Sequence, residues 1–187
     1  MSAPVIAFLP YSFRTVDRKS SDTKNIRVNQ KQAGFKLSQD TALTVRTLRA
    51  EDEPAWREMW TAYLAFYEST VPEEVYASTF ARLLGDDPRD FNALVAEKDG
   101  ALVGLTHYLF HRHAWKIEEV CYLQDLYAAP ETRGTGVGRA LIEGVYAAAD
   151  AHGASNVYWN TQHFNETARR LYDRIGVLTP FIKYQRA

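Results

Sequence analysis

At 187 residues the chain has the length of one ordinary domain. Hydrophobic residues make up 46% and charged residues 24%, which excludes a wholly disordered or collagen-like chain. The 22 basic and 23 acidic residues leave a net charge of −1, which argues against a protein held on nucleic acid or an anionic membrane by bulk charge. A single cysteine, Cys121, rules out an intrachain disulfide framework and a multi-cysteine zinc site. No apolar run approaches the roughly 18 residues of a membrane span. The expectation is a soluble, cytoplasmic protein that partners neither nucleic acid nor membrane and holds no metal.

Charge is unevenly spread. Residues 1–39 hold seven basic and two acidic residues, a local +5, so residues 40–187 carry −6. From Lys19 to Gln32 the chain is almost free of apolar residues and buries too little surface to offset its ordering entropy. Residues 1–42 are therefore read as a flexible N-terminal extension and 43–187 as the folded domain. A transit peptide is the competing reading, because the segment is basic, Ser-containing and poor in acids, but Pro4 and Pro10 interrupt the amphipathic helix it needs. A secretory signal is not expected, since no charged region precedes Val5–Leu9.

Thr44–Arg49 alternates and is rich in β-formers, a first strand. Asp52 caps a helix with Pro54 in its first turn, and Trp56, Met59, Trp60, Tyr63, Leu64 and Tyr67 form one apolar stripe along it. A second helix runs from near Pro72 to Gly85 with Tyr76, Phe80, Leu83 and Leu84 inward. Asn92–Glu97 and Ala101–Phe110 are two strands joined through Lys98-Asp99-Gly100, because Asp-Gly supplies the positive φ of a tight hairpin. Val120–Ala129 is a further strand. A long helix, Val137 to His152, turns Val137, Leu141, Val145, Ala148 and Ala149 inward. Val157–Asn160 is a short strand, Asn165–Ile175 a helix and Pro180–Gln185 a last strand. The order β-α-α-β-β-β-α-β-α-β predicts an α/β fold, a mixed and mostly antiparallel sheet flanked by helices.

The most informative segment is Pro130-Glu131-Thr132-Arg133-Gly134-Thr135-Gly136-Val137-Gly138-Arg139, between a predicted strand and a predicted helix. Alternate glycines remove the Cβ atoms that stop a backbone wrapping a ligand. The unpaired N–H groups and dipole of the helix start favour an anion, and Arg133 and Arg139 add positive charge. This reads as a pyrophosphate cradle. The glycines run G-x-G-x-G rather than G-x-G-x-x-G, and no Lys-Ser or Lys-Thr follows Gly138, so neither a dinucleotide fingerprint nor a P-loop fits.

Arg133-x-x-Gly136-x-Gly138, after a strand ending Tyr127-Ala128-Ala129-Pro130, resembles the acyl-CoA pyrophosphate motif of the GNAT acyltransferase superfamily. Asn165-Glu166-Thr167-Ala168-Arg169-Arg170-Leu171-Tyr172-Asp173-Arg174-Ile175-Gly176 resembles its second signature, and the resemblance covers about residues 43–187. Tyr122-Leu123-Gln124-Asp125-Leu126-Tyr127 and Phe181-Ile182-Lys183-Tyr184 are similar to the spermidine/spermine and histone or polyamine acetyltransferase branch. The resemblance implies acetyl-CoA as co-substrate, held at Arg133, Gly134, Thr135, Gly136, Val137, Gly138 and Arg139, with Leu126, Tyr127 and Ala128 along its pantetheine arm and Asn165 and Ala168 near the thiol end. It implies Tyr172 as the general acid; a phenol of pKa about 10 is protonated at neutral pH without any shift. Read from periodicity alone, Tyr172 is a core tyrosine on the stripe of Ala168, Leu171 and Ile175.

The implied function is acetyl transfer to a primary amine of a small molecule (a polyamine, an amino acid or similar) in a ternary complex. A protein or histone lysine acetyltransferase and a non-catalytic coenzyme A sensor are the alternatives. The sensor is motivated by Gln124, which stands where the diamine enzymes present a glutamate and cannot take a proton at physiological pH. Gln124 is assigned to orienting substrate or water. Strand alternation places Asp125 on the opposite face, with Leu123 and Tyr127, so without a bulge it does not replace the missing carboxylate. His107 reads as a satisfied core or face residue, Glu118, Glu119, His111 and His113 as solvated loop residues within reach of the strand's start through water, and Cys121 as a small buried hydrophobe. Acceptor recognition falls to the first two helices: Glu68, Glu73 and Glu74 offer charge, Tyr63 and Tyr67 aromatic faces. The fifteen residues after Tyr172 are short for the family's terminal hairpin, which leads to the expectation of a homodimer completing that edge.

Overall fold

The computed structural model describes residues 42–186; the rest of the expected N-terminal extension lies outside them. Five strands form one sheet in sequence order: β1 (Thr44–Thr47), β2 (Asn92–Lys98), β3 (Ala101–His111), β4 (Val120–Ala128) and β5 (Val157–Trp159). The first four pair antiparallel, and β5 runs parallel to β4. The hairpin between β2 and β3 turns on Asp99 (φ 55°) and Gly100 (φ 76°), both left-handed as an Asp-Gly turn requires. The parallel pairing needs a crossover, supplied by α3 (Val137–His152).

The sheet is buried on both faces. Helices α1 (Glu53–Phe66) and α2 (Glu73–Leu83) cover one, where Trp56, Trp60 and Phe80 pack on Ala93, Val95 and Leu105. Helix α3 covers the other, with Leu141, Ile142 and Val145 on Leu94, Ala96, Tyr108 and Leu123. Gly104 on β3 permits this: a Cβ there would lie 2.8 Å from the Tyr127 carbonyl oxygen and 2.8 Å from Val137 Cγ1, so the first turn of α3 sits directly on the sheet. Helix α4 (Glu166–Ile175) is fastened to α3 by the Tyr146 hydroxyl, which donates to the Ile175 carbonyl at 3.0 Å.

Two expectations change. Asp52 does not cap α1 with its side chain; the chain first makes a short 3-10 turn, Ala50–Asp52. The Asp52 carboxylate instead accepts two bonds from the Arg46 guanidinium, at 2.7 and 2.9 Å, and one from the Arg49 amide at 2.8 Å. Arg46 also reaches Glu97 at 2.8 Å, so one guanidinium ties β1, the start of α1 and β2 together. The second change is at the chain's far end, where no strand forms over 180–185. Phe181, Ile182 and Tyr184 are 77%, 75% and 87% exposed. The pattern of that segment suits a half-buried pleated surface, and no neighbouring strand within the described residues supplies one.

Candidate active site

The site begins where two strands part. β5 pairs with Cys121, Tyr122 and Leu123 and then ends, whereas β4 continues to Ala128. Beyond Leu123, β4 keeps its β3 partner on one side and has no β5 partner on the other. A groove of about 590 Å³ opens there. Leu126, Tyr127 and Ala128 form one wall, the turn and start of α3 the end, and Asn165, Ala168, Leu171 and Tyr172 of α4 the opposite wall, with Tyr63, Phe66 and Tyr67 of α1 lining it too.

At the turn, Gly134 (φ 81°) and Gly136 (φ 97°) hold backbone conformations that side chains disfavour, and a Cβ on either would have nothing within 4 Å. Gly138 differs: its φ is ordinary, and a Cβ there would touch Leu171 Cδ2 at 3.4 Å. Because α3 starts at Val137, the amides of Val137, Gly138 and Arg139 belong to the first turn, which a helix leaves unpaired. Arg133 and Arg139 line the groove, joined by Arg170 and Arg174. Thr135 lies outside the lining; its hydroxyl donates to the Thr132 carbonyl at 2.7 Å and closes the turn.

Tyr172 reaches the same groove from α4. Its ring meets Trp159 edge-on at 5.4 Å, and Trp159 in turn lies where a Cβ on Gly176 would be, 2.7 Å from its Cη2. Burial, and then the nearby Tyr67, push the Tyr172 phenol up to about 12. Asn165 caps α4: its side-chain oxygen accepts from the Ala168 amide at 3.3 Å. Tyr63 and Tyr67 meet edge-to-face at 5.0 Å, and the Tyr63 phenol is raised by burial first and then by the charge of Asp125.

The simple alternation expected for β4 does not hold. His107 pairs with Asp125 and Tyr108 with Leu123, so Gln124 is an extra residue, a β-bulge. Leu123 therefore packs on the α3 side, while Asp125 turns with Tyr127 toward α1. Gln124 is exposed and lies outside the groove lining. Glu68 is likewise exposed and outside it, just past the end of α1 with φ 53°, and Glu73 is paired with Arg57 at 2.9 Å. Trp115, 80% exposed in its loop, does not line the groove. Cys121 is fully buried and its thiol is pushed up to about 11 by burial, as suits an inert core residue.

His107 is buried and satisfied, as its position within a strand suggested. The Trp56 indole N–H donates to His107 Nε2 at 2.9 Å. An indole nitrogen can only donate, so Nε2 accepts and the ring hydrogen sits on Nδ1, which donates to Asp125 Oδ2 at 2.9 Å. Sequence reasoning missed this chain, and also Phe66, Arg170 and Arg174 in the groove. The two arginines could have been found by drawing α4 as a wheel, since Thr167, Arg170 and Arg174 follow one another at helical spacing.

A sheet that parts beside an anion-attracting helix start, closed by a helix bearing a phenol, is the framework of an acyltransferase. A model described as the Acetyltransferase (GNAT) family matches residues 56–177; the chain belongs to that family and is an N-acetyltransferase. It is 39% identical over 145 residues to the D-amino-acid N-acetyltransferase HPA3 of Saccharomyces cerevisiae, covering 77% of this chain and 90% of that one. It is 35% identical over 75 residues to the thialysine N-epsilon-acetyltransferase of Bos taurus, covering 40% of this chain and 44% of that one. The fold matches that of the aminoglycoside acetyltransferase AAC(6')-Iy bound to a bisubstrate analog, with a TM-score of 0.67 at 16% identity over 79% of this chain and 99% of that one. Among the described residues no helix is long and apolar enough to cross a membrane, and no group of three or more His, Cys, Asp or Glu is placed to hold a metal.

Proposed function

We propose that the protein transfers an acetyl group from acetyl-CoA to a primary amine of a small molecule, by direct transfer in a ternary complex in the cytoplasm. The observation that carries this reading is that the open glycine turn, the unpaired edge of β4 and the Tyr172 phenol all line one groove. The pyrophosphate would lie on the first-turn amides of α3, where backbone donors and the helix dipole favour an anion. The pantetheine arm would run along Leu126 to Ala128, and backbone N–H groups there would meet the oxyanion that forms on the thioester carbonyl. The amine nitrogen bonds to that carbon and the C–S bond breaks. The leaving thiolate takes the Tyr172 proton, and the phenolate is restored by the proton that the new amide nitrogen sheds. A phenol held at about 12 stays protonated between turnovers, as this role requires.

The relatives' names point to amino acids bearing an accessible amine as the first acceptors to try, with polyamines and a lysine peptide beside them. The test is thiol release from acetyl-CoA across that panel. Turnover with a free amine supports the proposal, and no turnover with any acceptor refutes it. Tight acetyl-CoA binding without turnover would favour the coenzyme A sensor, the reading that Gln124 suggests. The homodimer is supported by the exposed Phe181, Ile182 and Tyr184 and by the short edge strand β5, which together offer apolar surface and free backbone for a second copy. Sedimentation as a monomer at micromolar concentration would remove it.

A further inference from the structure

Building on the proposed transfer to an amine, we infer that Asp125 is the carboxylate that receives the acceptor as its ammonium ion, and that His107 and Trp56 are positioning residues that hold it there. The geometry begins with the bulge. Without an extra residue at Gln124, Asp125 would share a face with Leu123 and point into the α3 core; with it, the carboxylate faces α1 beside His107.

The electrostatics follow from the hydrogen bonds. Asp125 is 8% exposed, and among the described residues its ion-pair-type contact is with His107. That partner is a neutral imidazole, because Trp56 Nε1–H can only donate and so occupies His107 Nε2. The arrangement orients the carboxylate and stabilises it by a charge-assisted hydrogen bond, yet leaves its charge uncancelled. A buried carboxylate met by neutral donors alone is a strong attractor for a cation, since the low dielectric that makes it costly also magnifies the attraction. It is not sealed off: its side chain keeps 11% exposure, and its charge is felt by the phenol of Tyr63, which lines the groove. Tyr63 and Tyr67 add aromatic faces that favour an alkylammonium over a neutral isostere. The titratable groups facing Asp125 are thus His107 from β3 and Tyr63 from α1, and neither brings a positive charge. This is recognition, with no covalent bond made; before attack the ammonium gives its extra proton to solvent water, leaving the free amine that the transfer consumes. It assigns the acceptor charge to Asp125, whose charge acts on Tyr63 of the groove lining, rather than to Gln124, which carries no charge, or to Glu68, which is exposed just past the end of α1.

The test is Asp125→Asn, which keeps an oxygen for the His107 N–H. Two dead-end competitors against the amine are compared, an alkyltrimethylammonium and its uncharged tert-butyl isostere. The native enzyme is expected to bind the cation at least tenfold more tightly. In the variant that preference disappears, the KM for the amine rises about 30-fold or more, and the KM for acetyl-CoA stays within twofold. Trp56→Phe removes the donor to His107 Nε2 and is expected to raise the amine KM while the acetyl-CoA KM stays within twofold, a split that a general packing defect would not produce. An Asp125→Asn enzyme that prefers the cation as strongly as the native one overturns the assignment. Should that variant not fold, Asp125→Ser is read the same way. Native protein that binds no acetyl-CoA, or turns over no amine, would instead sink the underlying transfer reading, so the two failures are distinct.

Discussion

Replacing Gly136 by alanine separates the cost to the fold from the cost to the ligand. Gly136 sits at φ 97°, and an added Cβ would meet nothing within 4 Å. The folded protein therefore suffers backbone strain and no clash, roughly 1–2 kcal/mol for an L-residue with positive φ, or a melting temperature lower by about 2–8 °C for a domain of this size. In the bound state the same methyl stands in the open side of the turn, where the pyrophosphate is proposed to approach. Losing one charge-assisted backbone N–H contact costs about 1.5–3 kcal/mol, which weakens acetyl-CoA binding by roughly 10- to 100-fold. Calorimetric titration with acetyl-CoA and a thermal melt of the same sample measure both quantities. Gly104→Ala is the control with the opposite signature, because its Cβ would lie 2.8 Å from the Tyr127 carbonyl and from Val137 Cγ1. There overpacking costs about 1–3 kcal/mol or more of stability. A folded Gly136→Ala protein that binds acetyl-CoA within threefold of the native affinity would refute the cradle.

Tyr172→Phe should lower kcat by roughly 10²–10³-fold while leaving acetyl-CoA affinity unchanged; equal kcat would make the tyrosine purely structural. Because Tyr172 is raised from 10.0 to about 12, its stabilising effect on the fold is complete below pH 10 and is lost as pH climbs toward 12, which an alkaline denaturation series would follow with and without the substitution. Tyr146→Phe removes the bond to the Ile175 carbonyl, and should cost about 1 kcal/mol and speed amide exchange in α4 more than in α3. Asp52→Asn breaks the bidentate pair with Arg46 and should destabilise by roughly 3 kcal/mol in urea. The Arg46 guanidinium holds the Asp52 carboxyl below its ordinary 3.8, so that stability is present above about pH 4 and is lost as pH falls further; the variant's acid limb should be correspondingly flatter.

Much of the framework is legible in the sequence because period and punctuation agree. Helix α3 spans Val137–His152 in both readings, since its apolar stripe is bounded by glycines on either side. The Asp-Gly hairpin and the capping Asn165 rest on equally local chemistry. What fails is whatever depends on a partner distant in sequence. The pattern over 180–185 signals a strand, but a strand needs a neighbour. Asp52 has the composition of a cap, and Arg46 takes its oxygens first. In the site, the glycine turn could be read from spacing and Tyr172 from resemblance, and both line the groove. The His107–Asp125 pair could not, because it exists only in the register between β3 and β4, and a one-residue bulge that nothing in Tyr122–Tyr127 announces sets that register.

That bulge links the binding of two substrates. An extra residue in β4 ends its match with β5 after Leu123 and leaves the next residues with an open edge. The same inserted residue reverses which face the following side chains occupy, so Leu126 stays with the α3 core while Asp125 and Tyr127 turn toward α1. A continuous strand could not do both: with pairing preserved there would be no groove for a thioester, and with alternation preserved the carboxylate would be buried in apolar packing. Deleting Gln124 should therefore lose acetyl-CoA binding and ammonium preference together. Gln124→Ala, which keeps the extra residue and removes only its exposed side chain, should leave both near native values. Activity tracking the Gln124 side chain rather than the residue count would return the role to the amide, and would show that the bulge matters only for shape.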